Sequence, residues 1–87
     1  MLKVENLRIT RHAVRAMAER GVEVEDLVGA LRSPVVIEPH EGKRRFVGAN
    51  GLVAVIAGPD EWPVLVTVLL RRREQWDDDD AHGHFRG

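Results

Sequence analysis

A histidine and an arginine lie at the two ends of the first predicted helix, where they could act on an anionic substrate. If Thr10 caps this helix, His12 takes the second helical position, where the helix dipole disfavours a positive imidazole. That position favours the neutral ring, which is able to accept a proton. Arg20 ends the same helix two turns later, where the dipole favours a cation. The alternative for His12 is a surface histidine without a function. The alternative for Arg20 is a helix-end cation that pairs with Glu19 or Glu23.

Three cations follow one another at the start of a predicted strand, Lys43, Arg44 and Arg45. Because side chains alternate along a strand, Lys43 and Arg45 point to one face and Arg44 points to the other. Cations this close repel one another, and the phosphates of a nucleic acid would relieve the repulsion. Pairing with Glu38 and Glu41 is the simpler alternative.

The last predicted strand carries one hydroxyl, Thr67, inside the apolar run VLVTVLL (64–70). If that face of the strand is open to solvent, the hydroxyl can donate to a phosphate oxygen. The alternative is a structural threonine, because threonine favours sheets. Arg71 and Arg72 continue the strand as a basic rim, for which protection of a sheet edge by solvated charge is the alternative.

Length and composition limit the classes of protein to which this chain can belong. Its 87 residues suffice for one domain with a single core, and the absence of cysteine excludes disulfides and thiolate chemistry. No apolar run approaches the roughly 20 residues that span a bilayer. The N-terminus lacks the pattern of a signal peptide. We therefore expect a cytoplasmic protein that makes no contact with a membrane.

Charge divides the chain into two parts. Residues 1–73 carry 12 Lys and Arg against 9 Asp and Glu, whereas residues 74–87 carry one Arg against five acids. Because the second part has no hydrophobic period, we predict a folded domain over 1–73 and an acidic, disordered tail over 74–87. The tail contains His82 and His84 beside four aspartates, but nothing sets a ligand geometry, so no metal site and no cofactor are predicted. The tail either solubilises the protein or occupies a basic groove.

Local signals delimit two helices and four strands. The first helix begins after Thr10 and ends at Gly21, and the second runs from near Glu23 to Ser33–Pro34. The predicted strands are 35–39, 43–48, 52–58 and 64–72. Helices followed by strands with tight connections predict an α+β domain, with both helices on one face of a roughly four-stranded antiparallel sheet. The other face is then at least partly open to solvent.

Four segments in this order, RHAVRAMAERGVEVEDLVGAL, KRRFVG, LVAVIAG and VLVTVLL, resemble a family of small bacterial and phage proteins. That family is similar to the RelE/ParE-type toxins in the barnase/EndoU/colicin/RelE-like ribonuclease group. The resemblance covers about residues 9–70 and implies RNA bound on the open face of the sheet. His12, Arg20 and Thr67 match positions of the family's pattern, and Arg45 is the preferred match among the three successive cations. Two departures are the lack of a carboxylate on the strands where a base could act and the absence of tyrosine.

The sequence and the resemblance together predict a toxin-like, metal-independent endoribonuclease that uses general acid–base chemistry. The predicted catalytic residues are His12, Arg20, Arg45 and Thr67, and the predicted RNA-binding residues are Lys43, Arg44, Arg71 and Arg72. The alternative is a non-catalytic toxin-like protein or phage accessory protein that binds a protein target. The predicted partners are RNA, an antitoxin or another protein, and a second copy through an unpaired edge strand.

Overall fold

The structure, a computed structural model, describes residues 1–71 and confirms the α+β class. Arg72 and the predicted acidic tail lie outside the described residues. A 3-10 turn (Val4–Asn6) precedes seven regular elements, which are β1 (Arg8–Ile9), α1 (Arg11–Arg20), α2 (Val24–Arg32), β2 (Val36–His40), β3 (Lys43–Val47), β4 (Leu52–Ala57) and β5 (Val64–Leu70).

Side-chain and backbone caps define the ends of both helices. The Thr10 hydroxyl oxygen accepts the Ala13 N–H at 3.0 Å, and Gly21 ends α1 with a φ of 66°. Glu23 and Asp26 form a reciprocal capping box at the start of α2, in which the Glu23 N–H donates to an Asp26 carboxylate oxygen at 3.1 Å. These caps satisfy backbone groups that lack partners at helix ends.

The sheet has five strands in the order β1-β5-β4-β3-β2 and is mixed, so the prediction of four antiparallel strands is incomplete. The additional strand, β1, runs parallel to β5 and pairs Arg8 with Val64 and Ile9 with Leu65. A strand of two residues is too short to show an alternating pattern, so only its pairing with β5 identifies it. The remaining strand pairs are antiparallel, as predicted.

Both helices pack on the same face of the sheet. Helix α1 lies against β5, and α2 lies against β4 and β3. The core between helices and sheet consists of Ala13, Ala16, Met17, Leu27, Ala30, Leu31, Phe46, Leu52, Ala54, Ile56, Leu65 and Val68. Within residues 1–71 no helix covers the opposite face, which we call the open face.

A bulge in β5 decides which side chains reach the open face. Val55 pairs with Thr67 and its neighbour Ile56 pairs with Leu65, so β5 has one extra residue at this point. As a result Leu65 and Val68 both lie in the core, whereas Thr67 faces away from the helices with Val55. Thr10 binds at the bulge, where its hydroxyl lies 3.1 Å from the carbonyl oxygens of Leu65 and Val66.

Candidate nucleic-acid interface on the open face

One row of side chains crosses the open face from edge to interior. The strand register aligns Glu38 with Arg45, Arg45 with Val55, and Val55 with Thr67. Arg45 and Thr67 therefore point to the same side of the sheet, two strand spacings or about 10 Å apart. The structure thus brings together two of the residues that the sequence nominated.

A histidine from the neighbouring row contacts Arg45. His40 pairs with Lys43 across the β2–β3 hairpin, and its Nδ1 atom lies 2.6 Å from an Arg45 Nη2 atom. Because a guanidinium is only a donor, Nδ1 accepts in this contact and the proton of the neutral ring is on Nε2. The His40 Nε2 atom lies 3.9 Å from a Glu41 carboxylate oxygen, so this donor faces the adjacent turn.

A carboxylate and a second guanidinium meet at the other margin of this face. The Arg71 Nη2 atom lies 3.8 Å from a Glu38 carboxylate oxygen, so the side chain at the end of β5 reaches towards β2. Both groups are partly exposed, and ion pairs of this kind contribute little to stability. Arg71 is therefore free to exchange Glu38 for another anion at small cost.

Arg45 holds a donor without a partner. Its Nε atom is buried, and no hydrogen-bond acceptor for it is found within residues 1–71. A buried donor left unpaired costs about 1–3 kcal/mol. An anionic oxygen that reaches this Nε–H, once the side chains that bury it have moved aside, would recover that free energy.

The floor of the open face is apolar. Val47, Val53 and Val55 are buried although no described helix covers them. Charged groups beside a buried apolar floor are screened less than fully exposed ones. The cations Lys43, Arg45 and Arg71 outnumber the carboxylate of Glu38 on this face and that of Glu41 in the adjoining turn, so an anion is the ligand that this face favours.

Arg44, a predicted RNA-binding residue, lies on the helix side of the sheet. It forms an ion pair with Asp60, donates to the Gly58 carbonyl at 2.9 Å and lies 5.7 Å from the centre of the Phe46 ring. The hydrogen bond from Arg44 lowers the pKa of the Asp60 carboxyl below its ordinary value. Partial burial acts in the opposite direction and raises this pKa, but by less. These contacts give Arg44 a structural role.

The two predicted catalytic residues of the first helix do not join the open face. His12 and Arg20 are exposed on α1, which packs on the opposite side of the sheet from Arg45 and Thr67. Arg20 lies 3.9 Å from Glu19, and within the described residues no hydrogen bond or ion pair of the His12 side chain is found. Their catalytic assignment stays a prediction, and Arg72 lies outside the residues that the structure describes.

Glu38 and His40 lie beside Arg45 and Lys43 but are not among the residues predicted from the sequence to form a site. Glu38 lies on β2 and within the first predicted strand, 35–39. The signal was present in the two-residue turn Glu41–Gly42, whose positive φ angles of 52° and 78° suit a tight hairpin. Such a turn sets the register, and the register places Glu38 and His40 opposite Arg45 and Lys43.

Comparison with known proteins identifies one family. A family model described as a domain of unknown function, DUF4258, matches residues 9–69, which include both helices and the strands that form the open face. No curated protein and no solved structure matches the chain.

Residues 1–71 contain no group of three or more histidine, cysteine, aspartate or glutamate side chains placed to hold a metal ion. None of the helices in that range is long and apolar enough to cross a membrane.

Proposed function

We propose that this chain, which belongs to the DUF4258 family, is a toxin-like endoribonuclease related to the RelE/ParE-type toxins and that it acts on RNA bound to its open face. The observation that carries the proposal is the buried, unpaired Nε–H of Arg45 beside an imidazole and a carboxylate. A phosphodiester supplies the anionic oxygens that this arrangement lacks.

Binding would rest on the phosphate backbone. Arg45 offers Nε–H and an Nη–H in a planar fork that fits two phosphate oxygens. Lys43 and Arg71 lie to either side of it and bind neighbouring phosphates. Thr67, about 10 Å from Arg45 at the far end of the row, donates its hydroxyl to a neighbouring phosphate.

Cleavage would use the two titratable groups of β2. Glu38 and His40 are two residues apart on one face of the strand, which places their Cα atoms about 7 Å apart on either side of a bound phosphodiester. Glu38 takes the proton of the 2′-hydroxyl, and the 2′-oxygen attacks the phosphorus. The bond from phosphorus to the 5′-oxygen breaks, and that oxygen takes a proton from the His40 imidazolium.

The products are then a 2′,3′-cyclic phosphate and a free 5′-hydroxyl. His40 acts as an acid only after Nδ1 has gained a proton. The new N–H can no longer accept from Arg45, so the contact breaks, and the His40 imidazolium and the Arg45 guanidinium both face the phosphate. Arg45 and Lys43 stabilise the charge that grows on the phosphoryl oxygens, an effect of roughly 2–4 kcal/mol per well-placed donor.

Two substitutions in the full chain test this site. We expect Glu38→Gln and His40→Ala each to lower the rate of RNA cleavage at least about 100-fold, the usual contribution of a positioned acid or base. The matched control is Glu25→Gln, an exposed glutamate on α2 that should leave the rate unchanged. The cyclic phosphate end group is detected directly on the cleaved RNA.

The His12→Ala variant separates the two candidate locations. Loss of cleavage in this variant, together with full activity of the Glu38 and His40 variants, would move the catalytic site to α1 and refute the open-face mechanism. Cleavage retained within a few-fold would remove His12 from the chemistry. Circular dichroism of each variant distinguishes a missing catalytic group from a misfolded chain.

A second candidate function, binding of a protein target without catalysis, is favoured by an apolar surface near the start of β2. Val35, Val36 and Ile37 are 68%, 44% and 47% exposed. A cavity of about 660 Å³ on the helix side of the sheet adjoins Ile37, and its apolar lining also includes Leu2, Val4, Leu31, Pro34 and Phe46. Clustered exposed apolar residues often mark protein interaction sites, and an antitoxin or other target would cover them.

The edge of β2 restricts a homodimer formed by strand pairing. The two-residue turn makes His40 and Lys43 a hydrogen-bonded pair, so the backbone nitrogen of Pro39 points outward from the sheet. That nitrogen carries no proton, and only the first half of β2 can donate to a second strand.

Expression in a bacterial host distinguishes the two candidate functions. Growth arrest that is lost in Glu38→Gln and kept in Ile37→Glu supports the nuclease. The reverse pattern supports a protein target bound at the start of β2.

A further inference from the structure

We propose that the acidic segment of residues 74–80 binds the open face when RNA is absent and competes with RNA for it. This regulation rests on the proposed function, because it assigns a second anion to the same site. The segment lies outside the described residues, and the proposal is drawn from its sequence, its point of attachment and the surface that it can reach.

The open face and residues 74–80 carry charges of opposite sign. The open face carries Lys43, Arg45 and Arg71 against the single carboxylate of Glu38. Residues 74–80 contain five acids, Glu74 and four consecutive aspartates, and no cation. A run of carboxylates offers this face the same kind of oxygen acceptors as a phosphate backbone, including one for the unpaired Nε–H of Arg45.

The described chain ends at Arg71, beside the open face. The Arg71 N–H donates to the Gly51 carbonyl at 2.8 Å, and the Arg71 side chain extends towards Glu38. The residue from which the acidic segment continues is therefore held at the margin of the open face. A segment attached at this position starts beside the cations that it would bind.

The acidic segment is attached close enough to the open face for its first aspartate to reach Arg45. Arg45 lies two strand spacings across from β5 and four residues back from Arg71, a separation of about 16 Å. Asp77 is six residues beyond Arg71, and six residues extend to about 20 Å. The first aspartates can therefore contact Arg45, and a short tether gives them an effective concentration in the millimolar range.

The lysine content of the chain supplies a direct test. Lys3 and Lys43 are the only lysines of the sequence, and they lie far apart, in the N-terminal segment and on the open face. We expect acetylation of Lys43 relative to Lys3 in the full chain to be slower than in the variant with Asp77–Asp80 all changed to Asn, by about threefold or more at about 20 mM salt. The difference should vanish at about 500 mM salt, where such contacts are screened.

RNA binding supplies the functional test. In the same Asp77–Asp80→Asn variant we expect RNA affinity to rise about fivefold at low salt, because the competitor has been removed. The matched control changes four exposed glutamates away from the open face to glutamine, Glu5, Glu19, Glu25 and Glu61. It alters net charge equally and should change affinity less than twofold.

The outcomes separate this inference from the proposed function. Equal Lys43 reactivity in the full chain and the tail variant would overturn the inference, and so would equal gains in RNA affinity in the tail variant and the control. In either case an effect of Arg45→Met on RNA binding would still support the open face as the RNA site. No effect of Arg45→Met on RNA binding, with Lys43 still protected, would refute the proposed function and leave the intramolecular contact standing.

Discussion

Neighbouring arginines on opposite faces of β3 provide the sharpest test of the proposed RNA site. Arg45 points to the open face and Arg44 points to the helix side, where it pairs with Asp60. The substitutions Arg45→Met and Arg44→Met remove the same charge and a similar volume from adjacent positions. Any effect of overall charge is therefore equal in the two variants, and only the face of the sheet differs.

The size of the effect follows from the number of cations on the open face. Three cations, Lys43, Arg45 and Arg71, can each neutralise one phosphate. Single-stranded RNA then gives a slope of log affinity against log salt of about −2, so affinity falls about 20-fold between 50 and 200 mM salt. With Arg45 removed the slope becomes about −1.4, and the same change of salt lowers affinity about 7-fold.

Loss of Arg45 also weakens binding at any one salt concentration. A hydrogen bond to a charged group contributes about 1.5–3 kcal/mol, which corresponds to roughly 10-fold to 100-fold in affinity. Arg44→Met should leave both the slope and the affinity unchanged, since its guanidinium is already paired on the other side of the sheet.

The assay is fluorescence anisotropy of a labelled single-stranded RNA at four salt concentrations between 50 and 400 mM. Both variants are measured with Asp77–Asp80 changed to Asn, so that the acidic segment does not compete. Equal slopes for Arg44→Met and Arg45→Met would show that RNA does not discriminate between the faces, and the proposed site would then be wrong. Unfolding curves establish that both variants are folded at the assay temperature.

Three further predictions concern stability. Because Arg44 lowers the pKa of Asp60 in the folded protein, this pair should stabilise the fold above about pH 4 and lose that effect as pH falls through the lowered pKa. The Asp60→Asn variant should therefore show a weaker pH dependence of the urea midpoint, measured from about pH 6 to about pH 2.5. Thr10→Ala should lower the free energy of unfolding by about 1–2 kcal/mol because it removes the cap of α1 and its contact with β5, whereas Thr10→Ser should restore most of it; equal midpoints for Ala and Ser would contradict this role. Gly51→Ala should cost at least about 2 kcal/mol, because Gly51 has a φ of 87° and a Cβ there would press against the Arg71 carbonyl oxygen; an unchanged midpoint would show that the turn relaxes freely.

The helix boundaries could be predicted from sequence because each depends on a few adjacent residues. Thr10 caps α1 through a hydrogen bond three residues away, and Gly21 adopts the left-handed conformation that ends it. The turn at Glu41–Gly42 is equally local. The opposite orientations of Arg44 and Arg45 follow from strand alternation alone, and the structure confirms them.

The candidate site was only partly predictable, because its members come from separate strands. Alternation along β5 placed Thr67 with Leu65, but the bulge puts Leu65 in the core and leaves Thr67 on the open face. The approach of Arg71 to Glu38 joins residues that are distant in the chain, and no local pattern announces it. Glu38 was considered only as a partner for neighbouring cations for the same reason.

The sequence by itself determined the local elements, the two faces of β3 and the contrast between a basic domain and an acidic segment. These properties depend on backbone chirality, on hydrogen bonds within a few residues and on formal charge. Tertiary structure alone decided that β1 pairs parallel to β5, that α1 packs on the side away from Arg45, and that the Arg71 side chain reaches Glu38. Those outcomes depend on which distant strands pair and on which face of the sheet the helices bury, and both are set by packing of the whole chain.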